Sequence, residues 1–211
     1  MVRPPRSPLL TAAFWARPTL VVARELVGCV VETATPVGTA AGRIVEVEAY
    51  LGPDDPASHA ARGPTPRAAI MFGPPGRAYV YFIYGMHHCL NFVTERPGTA
   101  GAVLVRALEP LAGRELMAHR RWGAGPARAD EELCNGPGKL CQALGIDLGW
   151  NGEPLRGPRL RLRAPTGERP SLAVTTRIGV RQAADRPWRF VVAGSRCLSV
   201  PLARRPGTAL I

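Results

Sequence analysis

Lysine is almost missing from this chain. Of its 27 lysines and arginines only Lys139 is a lysine, so chemistry that needs an amine has that residue and the N-terminal amine to draw on. Paired cysteines are missing too. Cys29, Cys89, Cys134, Cys141 and Cys197 form no C-x-x-C pair, which argues against a disulfide framework and for buried, reduced thiols. His87-His88-Cys89 offers ligand types, but no second pair stands at zinc spacing, and no metal is expected. The phosphate-loop spacing fails as well: in Asn135-Gly-Pro-Gly-Lys139 a leucine, Leu140, follows the lysine. Nucleotide hydrolysis is therefore not expected, and no cofactor is. Long apolar runs are absent. The longest, Ala78 to Met86, is too short to span a bilayer, and the start of the chain has no apolar stretch of signal length. The expectation is an intracellular monomer that avoids membranes.

Acidic residues are scarce. Sixteen face 27 basic ones, giving a net charge of +11 and a pI of about 10.6. A protein this basic is expected to meet a polyanion. The excess is uneven: residues 151–211 hold 12 arginines and 3 acids, while residues 1–150 hold 15 basic and 13 acidic residues. Arginine suits bidentate contact with phosphate.

The residues that are present alternate most clearly over Gly42–Tyr50. Ile44, Glu46, Glu48 and Tyr50 are expected to point one way, and Val45, Val47, Ala49 and Leu51 the other. Same-face neighbours on a strand lie roughly 7 Å apart. Two carboxylates and a ring thus share a rigid support, and His59 follows in a polar loop. Glu48 is a candidate general base at the rim of a core, and Glu46 competes for the role because it shares the face. A second cluster is Tyr79-Val-Tyr81-Phe-Ile-Tyr84-Gly. Tyr79 and Phe82 are read as packing. Tyr84 stands where a turn is expected, as an exposed wedge of the kind that opens base stacks.

The remaining pattern is short strands and short helices without a regular βαβ alternation. Residues 1–17 read as a flexible basic tail, and residues 18–205 as one domain. Helices are expected over Pro18–Leu26, Leu111–Trp122 and Leu140–Leu144, the last capped by Asn135. Strands are expected at Cys29–Val31, Gly42–Tyr50, Ala78–Ile83, His87–Val93, Ala102–Leu108, Leu160–Arg163, Leu172–Val180, Trp188–Val192 and Cys197–Val200, with a long loop over 52–77. The fold class is α+β: a single compact domain of mostly antiparallel strands with short surrounding helices.

Several motifs then occur in one order: Glu48-Ala-Tyr-Leu-Gly-Pro-x-Asp55, His59, Thr65-Pro-Arg67, Tyr79-Val-Tyr81-x-Ile-Tyr84-Gly-Met, Asn91, Arg106-Ala-Leu-Glu-Pro110 and Gly136-Pro-x-Lys-Leu-Cys-Gln-Ala-Leu144. Together they resemble the alkyladenine (3-methyladenine) DNA glycosylase family, over about residues 18–200. The resemblance implies a compact α+β enzyme without a metal, acting on double-stranded DNA that contains damaged purines. It implies Glu48 as the base that activates water and Arg106 as its partner. It implies Tyr50, His59, Tyr81 and Asn91 as the pocket for a flipped base, Tyr84 as the wedge, and Thr65, Arg67, Gly136 and Lys139 as backbone contacts. The Arg-rich C-terminal third matches less well, and His87-His88 departs from the pattern. Two other readings remain: a non-enzymatic nucleic-acid module with a structural Glu48, and a hydrolase of small nucleosides that pairs Glu46 with Glu48.

Overall fold

Gly38–Leu51 is rich in β-branched and small apolar residues and forms a 14-residue strand, β2. The computed structural model describes residues 7–126, 128–202 and 209–210. Around β2 lie β1 (Val30–Thr35), β3 (Ala78–Ile83), β4 (His87–Val93), β5 (Gly101–Ala112), β6 (Leu160–Arg163), β7 (Leu172–Thr175), β8 (Arg189–Val192) and β9 (Ala209–Leu210). Their order is β3-β4-β5-β2-β8-β7-β9, and β1 joins β2 to β6. Every strand pair is antiparallel. One edge of β2 runs along β5. The other is shared by β1 near its start and β8 near its end. The result is one curled sheet in a single α+β domain, as the sequence pattern implies.

Four short helices complete the domain: α1 (Ala12–Trp15), α2 (Thr19–Leu26), α3 (Arg114–Trp122) and α4 (Pro137–Leu144). Ile44, Val47 and Ala49 of β2 join Leu90, Phe92, Val103 and Val105 in the main core, which α2 and α4 cover. Pro137 begins α4, where its missing N–H costs nothing, and Gly145 ends it at φ 72°. No described helix is long and apolar enough to cross a membrane.

The strict alternation expected along β2 breaks. Ile44 pairs with Leu108, Glu46 with Ala107 and Val47 with Val105, so Val45 is an extra residue in β2 and Arg106 an extra residue in β5. These two bulges cancel in register. Between them the faces exchange: Ile44 joins Val47 and Ala49 in the main core, and Val45 packs on the other side with Ala107, Ala173 and Val191. Ile44 therefore does not share a face with Glu46 and Glu48. Bulges commonly stand beside active sites because they re-aim side chains.

A flexible tail is expected over residues 1–17, but from Ser7 the chain is packed. The Ser7 hydroxyl donates to the Ala164 carbonyl at 2.7 Å, the Leu10 amide donates to the Leu162 carbonyl at 2.9 Å, and Thr11 caps α1. Trp15 is 1% exposed and packs edge-on against Phe92. Burying one large ring outweighs the loop-like composition around it. Residues 1–6 and 203–208 lie outside the described residues. Other expectations shift. The strand read as Leu172–Val180 stops at Thr175, Cys197–Val200 is not a strand, and α3 starts at Arg114 because Gly113 turns the chain at φ 73°.

Candidate active site

A cavity of about 380 Å³ opens between β3, β4, β5 and the segment after β7. Tyr50, His59, Tyr81, Asn91, Arg106 and Tyr84 all line it. The sequence scatters these residues over 57 positions, and the fold brings them to one hollow.

Glu48 lies directly behind that lining and is 0% exposed. Three donors reach its carboxylate. The Tyr50 hydroxyl donates to Oε2 at 2.8 Å, Arg106 Nη1 donates to Oε2 at 3.2 Å, and the Ile178 amide donates to Oε1 at 2.7 Å. A carboxylate is an acceptor only, so this set suits it. Burial above all, and then the charge and hydrogen bond of Glu48, push the Tyr50 pKa well above the usual phenol range. Tyr50 therefore stays a donor.

Glu46, the competing carboxylate, is also 0% exposed, and of its partners only Arg106 lines the cavity. It accepts from Arg106 Nε at 3.0 Å, Arg189 Nε at 2.7 Å, and the Ser199 amide and hydroxyl at 2.6 and 2.7 Å. Its oxygens are occupied by fixed partners. Arg106 thus bridges two buried carboxylates and Arg189 balances the second. Burial works against the charge on Arg106, but Glu48, Glu46 and Tyr50 outweigh it and raise its pKa above the ordinary value.

Aromatic rings form the wall. His59 Nδ1 and the Tyr79 hydroxyl are 2.8 Å apart, and His59 stands edge-on to Tyr81 at 4.8 Å between ring centres. Tyr79 lies 5.3 Å from Tyr81. The packing role expected for Tyr79 is incomplete, because it also lines the cavity and anchors His59. Burial first, then the nearby Arg67 charge, lowers the His59 pKa. Burial pushes Tyr79 up to about 12. Asn91 is buried, and its Nδ2 donates to the Tyr79 carbonyl at 3.1 Å.

The rim holds the rest. Tyr84 sits at the β3–β4 tip at φ 54°, followed by Gly85 at φ 66°, and is 81% exposed. Two successive positive φ values put Tyr84 and Gly85 in the left-handed region, which strains a tyrosine. Phe82, read as packing, is 40% exposed and stacks on His88 instead. Arg67 donates to the Phe82 carbonyl at 2.6 Å and lies over the Tyr81 ring. Thr65 closes a turn by accepting from the Ala68 amide. Gly136, not Asn135, is the cap residue of α4. Asn135 instead accepts from Lys139 Nζ at 2.8 Å, and Lys139 is exposed. Thr65, Arg67, Gly136 and Lys139 stand outside the cavity lining, although Pro137 and Gly138 belong to it. His87 lines the cavity against Gly138, where a Cβ would come within 2.9 Å of the imidazole.

Sequence reasoning misses the Ile178 amide, because a backbone donor leaves no trace in side-chain chemistry. It also misses Arg189 and Ser199, which stand more than 140 residues from Glu46. Among the described residues no group of three His, Cys, Asp or Glu is placed to hold a metal.

A family model described as methylpurine-DNA glycosylase (MPG) matches residues 13–196. A protein of Methanoculleus marisnigri is 50% identical over 194 residues, covering 90% of this chain and 98% of its own. One of Rhodopseudomonas palustris strain HaA2 is 50% identical, covering 92% of each chain. One of Rubrobacter xylanophilus is 48% identical, covering 88% of this chain and 94% of its own. Each carries the name "Putative 3-methyladenine DNA glycosylase". With a family model spanning most of its length and half its residues shared with such relatives, the chain belongs to the methylpurine-DNA glycosylase family.

Proposed function

We propose that the protein is a DNA-3-methyladenine glycosylase, a base-excision repair enzyme that works as a soluble intracellular monomer. It flips alkylated or deaminated purines out of duplex DNA and hydrolyses the N-glycosidic bond with water activated by Glu48. The observation that carries this reading is a buried carboxylate held by three donors from residues that line an aromatic cavity. A cavity of about 380 Å³ falls in the usual range for small-ligand sites.

A base stacked in a duplex cannot be reached until it is extruded, and extrusion costs less for a damaged pair. Alkylation at a purine ring nitrogen leaves a cation, which aromatic faces attract by about 2 kcal/mol when desolvated. The rings of Tyr50, His59 and Tyr81 supply such a surface. The cationic purine leaves readily, so the reaction needs a base for water more than an acid. Glu48 takes the proton from water as its oxygen attacks the sugar C1′, and the bond electrons leave with the purine. A nearby carboxylate also steadies the positive charge that develops on the sugar. Asn91, buried in the cavity lining, reads the edge of the base.

Water, rather than an amine, is the nucleophile. Lys139 is the one lysine, and its amine is tied to Asn135 outside the cavity lining. The product is an intact strand with an abasic site.

The decisive measurement is mass-spectrometric detection of free purine released from alkylated duplex DNA. Wild type should release it. Glu48→Gln, which keeps the shape and loses the base, should be slower by about 10²–10⁴-fold and still bind damaged DNA. Wild-type turnover in Glu48→Gln would leave the Glu46-based reading standing, and no release by wild type would leave the non-enzymatic one.

A further inference from the structure

The side chains of Arg177 and Asp55 are both 0% exposed and form a fork-to-fork pair, Nη1 to Oδ2 at 2.6 Å and Nη2 to Oδ1 at 2.9 Å. Neither residue lines the cavity. We propose that Arg177, locked to Asp55, is the positioning residue that aims the donors of Tyr50 and Ile178 at Glu48. The proposal rests on the reading of Glu48 as the base.

Covalent geometry makes the first link. The N–H that reaches Glu48 Oε1 belongs to the peptide between Arg177 and Ile178. That peptide is planar, so fixing Arg177 fixes the direction of the donor. The guanidinium is fixed at four points. Besides Asp55, Nη1 donates to the Ala49 carbonyl at 3.1 Å and Nη2 to the Ala183 carbonyl at 3.3 Å. Ala49 lies between Glu48 and Tyr50 on β2, and Ala183 lies further along the loop that carries Ile178. One side chain therefore ties the loop to the strand that bears the base.

The second link is stacking. The guanidinium carbon lies 4.8 Å from the centre of the Tyr50 ring and 5.0 Å from that of Trp188. Tyr50 is thus braced on one side by Arg177 while its hydroxyl reaches Glu48. Asp55 is braced in turn, accepting from the Leu51 and Ala57 amides at 3.1 and 3.3 Å. The chain segment that bears His59 begins at this anchor.

The third link is cost. Arg177 Nε is buried without a described acceptor, and a buried orphan donor is unfavourable. A buried ion pair is in any case weak evidence of net stabilisation. Apolar residues could fill this space at little loss, but they could not aim two donors at one carboxylate. The arrangement serves geometry.

The test uses the full chain and compares wild type with Arg177→Lys, Asp55→Asn and Glu48→Gln. Lysine keeps the charge but cannot reproduce the fork. Two quantities are read: single-turnover purine release from alkylated duplex, and affinity for a duplex carrying an abasic-site analogue. Small misplacement of reacting groups can cost about 10²-fold. Arg177→Lys should lose release by about that factor while affinity stays within about threefold, and Asp55→Asn should fall between it and wild type. Should Arg177→Lys fail to fold, Asp55→Asn, which keeps the side-chain volume, reads the same split. Release within about threefold of wild type in a folded variant, with Glu48→Gln inactive, overturns the proposal. So does equal loss of release and affinity, which marks a merely structural pair. Normal release by Glu48→Gln removes the base reading itself, and the proposal with it, whatever the Arg177 variants do.

Discussion

Arg106 donates to Glu46 through one nitrogen and to Glu48 through another, so this single side chain bridges the two carboxylates. Glu46 is closed by four donors, whereas the three donors to Glu48 all come from residues that line the cavity. The sequence places both on one face and cannot choose between them, because the choice depends on Arg189 and Ser199 from distant segments. His59 shows the same limit. Its ring type is plain in the sequence, but its environment is not. Burial, and then Arg67, lowers its pKa below the usual value of about 6.5. The neutral ring is thus favoured in the fold. Its contribution to stability is present above about pH 6.5 and is lost as pH falls through the lowered folded value. His59→Gln should remove that part of the acid-side loss. Thermal melts of both proteins between about pH 5 and 8 check it. Wild type should fall more steeply than the variant below about pH 6.5, and parallel curves would sink the idea.

At the scale of elements, the β3–β4 hairpin was fully legible, since Ala78–Ile83 and His87–Val93 match the expected strands residue for residue. Its turn was legible too, because Gly85 follows a tyrosine where polar residues are usual. The bulges in β2 and β5 were not. A period-two template has no means of showing an extra residue, and both flanks of the bulge are apolar or acidic as alternation requires. Helix α1 was hidden for another reason: four residues are too few to show a period. Tyr84 carries the cost of its position, since a tyrosine at φ 54° is strained by roughly 1–2 kcal/mol where glycine is free. Tyr84→Gly should therefore have opposite effects on fold and function. The protein should melt at the same temperature or about 2–4 °C higher. Affinity for damaged duplex should fall about tenfold, as expected for one lost stacking contact of roughly 1–3 kcal/mol, with little change for single strands. Equal loss on both forms of DNA would reduce Tyr84 to packing.

At the scale of the whole molecule, the uneven charge has a structural use that composition does not reveal. Ten arginines lie within residues 151–202. Seven of them, Arg159, Arg161, Arg163, Arg169, Arg177, Arg189 and Arg196, pair with carboxylates, and six of those seven find their partner in residues 1–150. Most of the described arginines in the basic third of the chain thus already have a carboxylate partner, chiefly in the rest of the chain. Phosphate contact should fall to exposed cations without such a partner. Arg181 is one: it has no carboxylate partner among the described residues and follows Val180 of the cavity lining. Each phosphate neutralised contributes about −0.9 to the slope of log affinity against log salt, so five to eight contacts give about −4 to −7. Arg181→Gln should make that slope shallower by about one contact. Arg163→Gln, which removes a charge already held by Glu32 at 3.0 Å, should leave it unchanged. Titrations of damaged duplex at several salt concentrations measure both. A slope near zero in wild type would refute the electrostatic reading of the net charge. Equal changes in the two variants would mean that the internal ion pairs do not decide which arginines meet DNA.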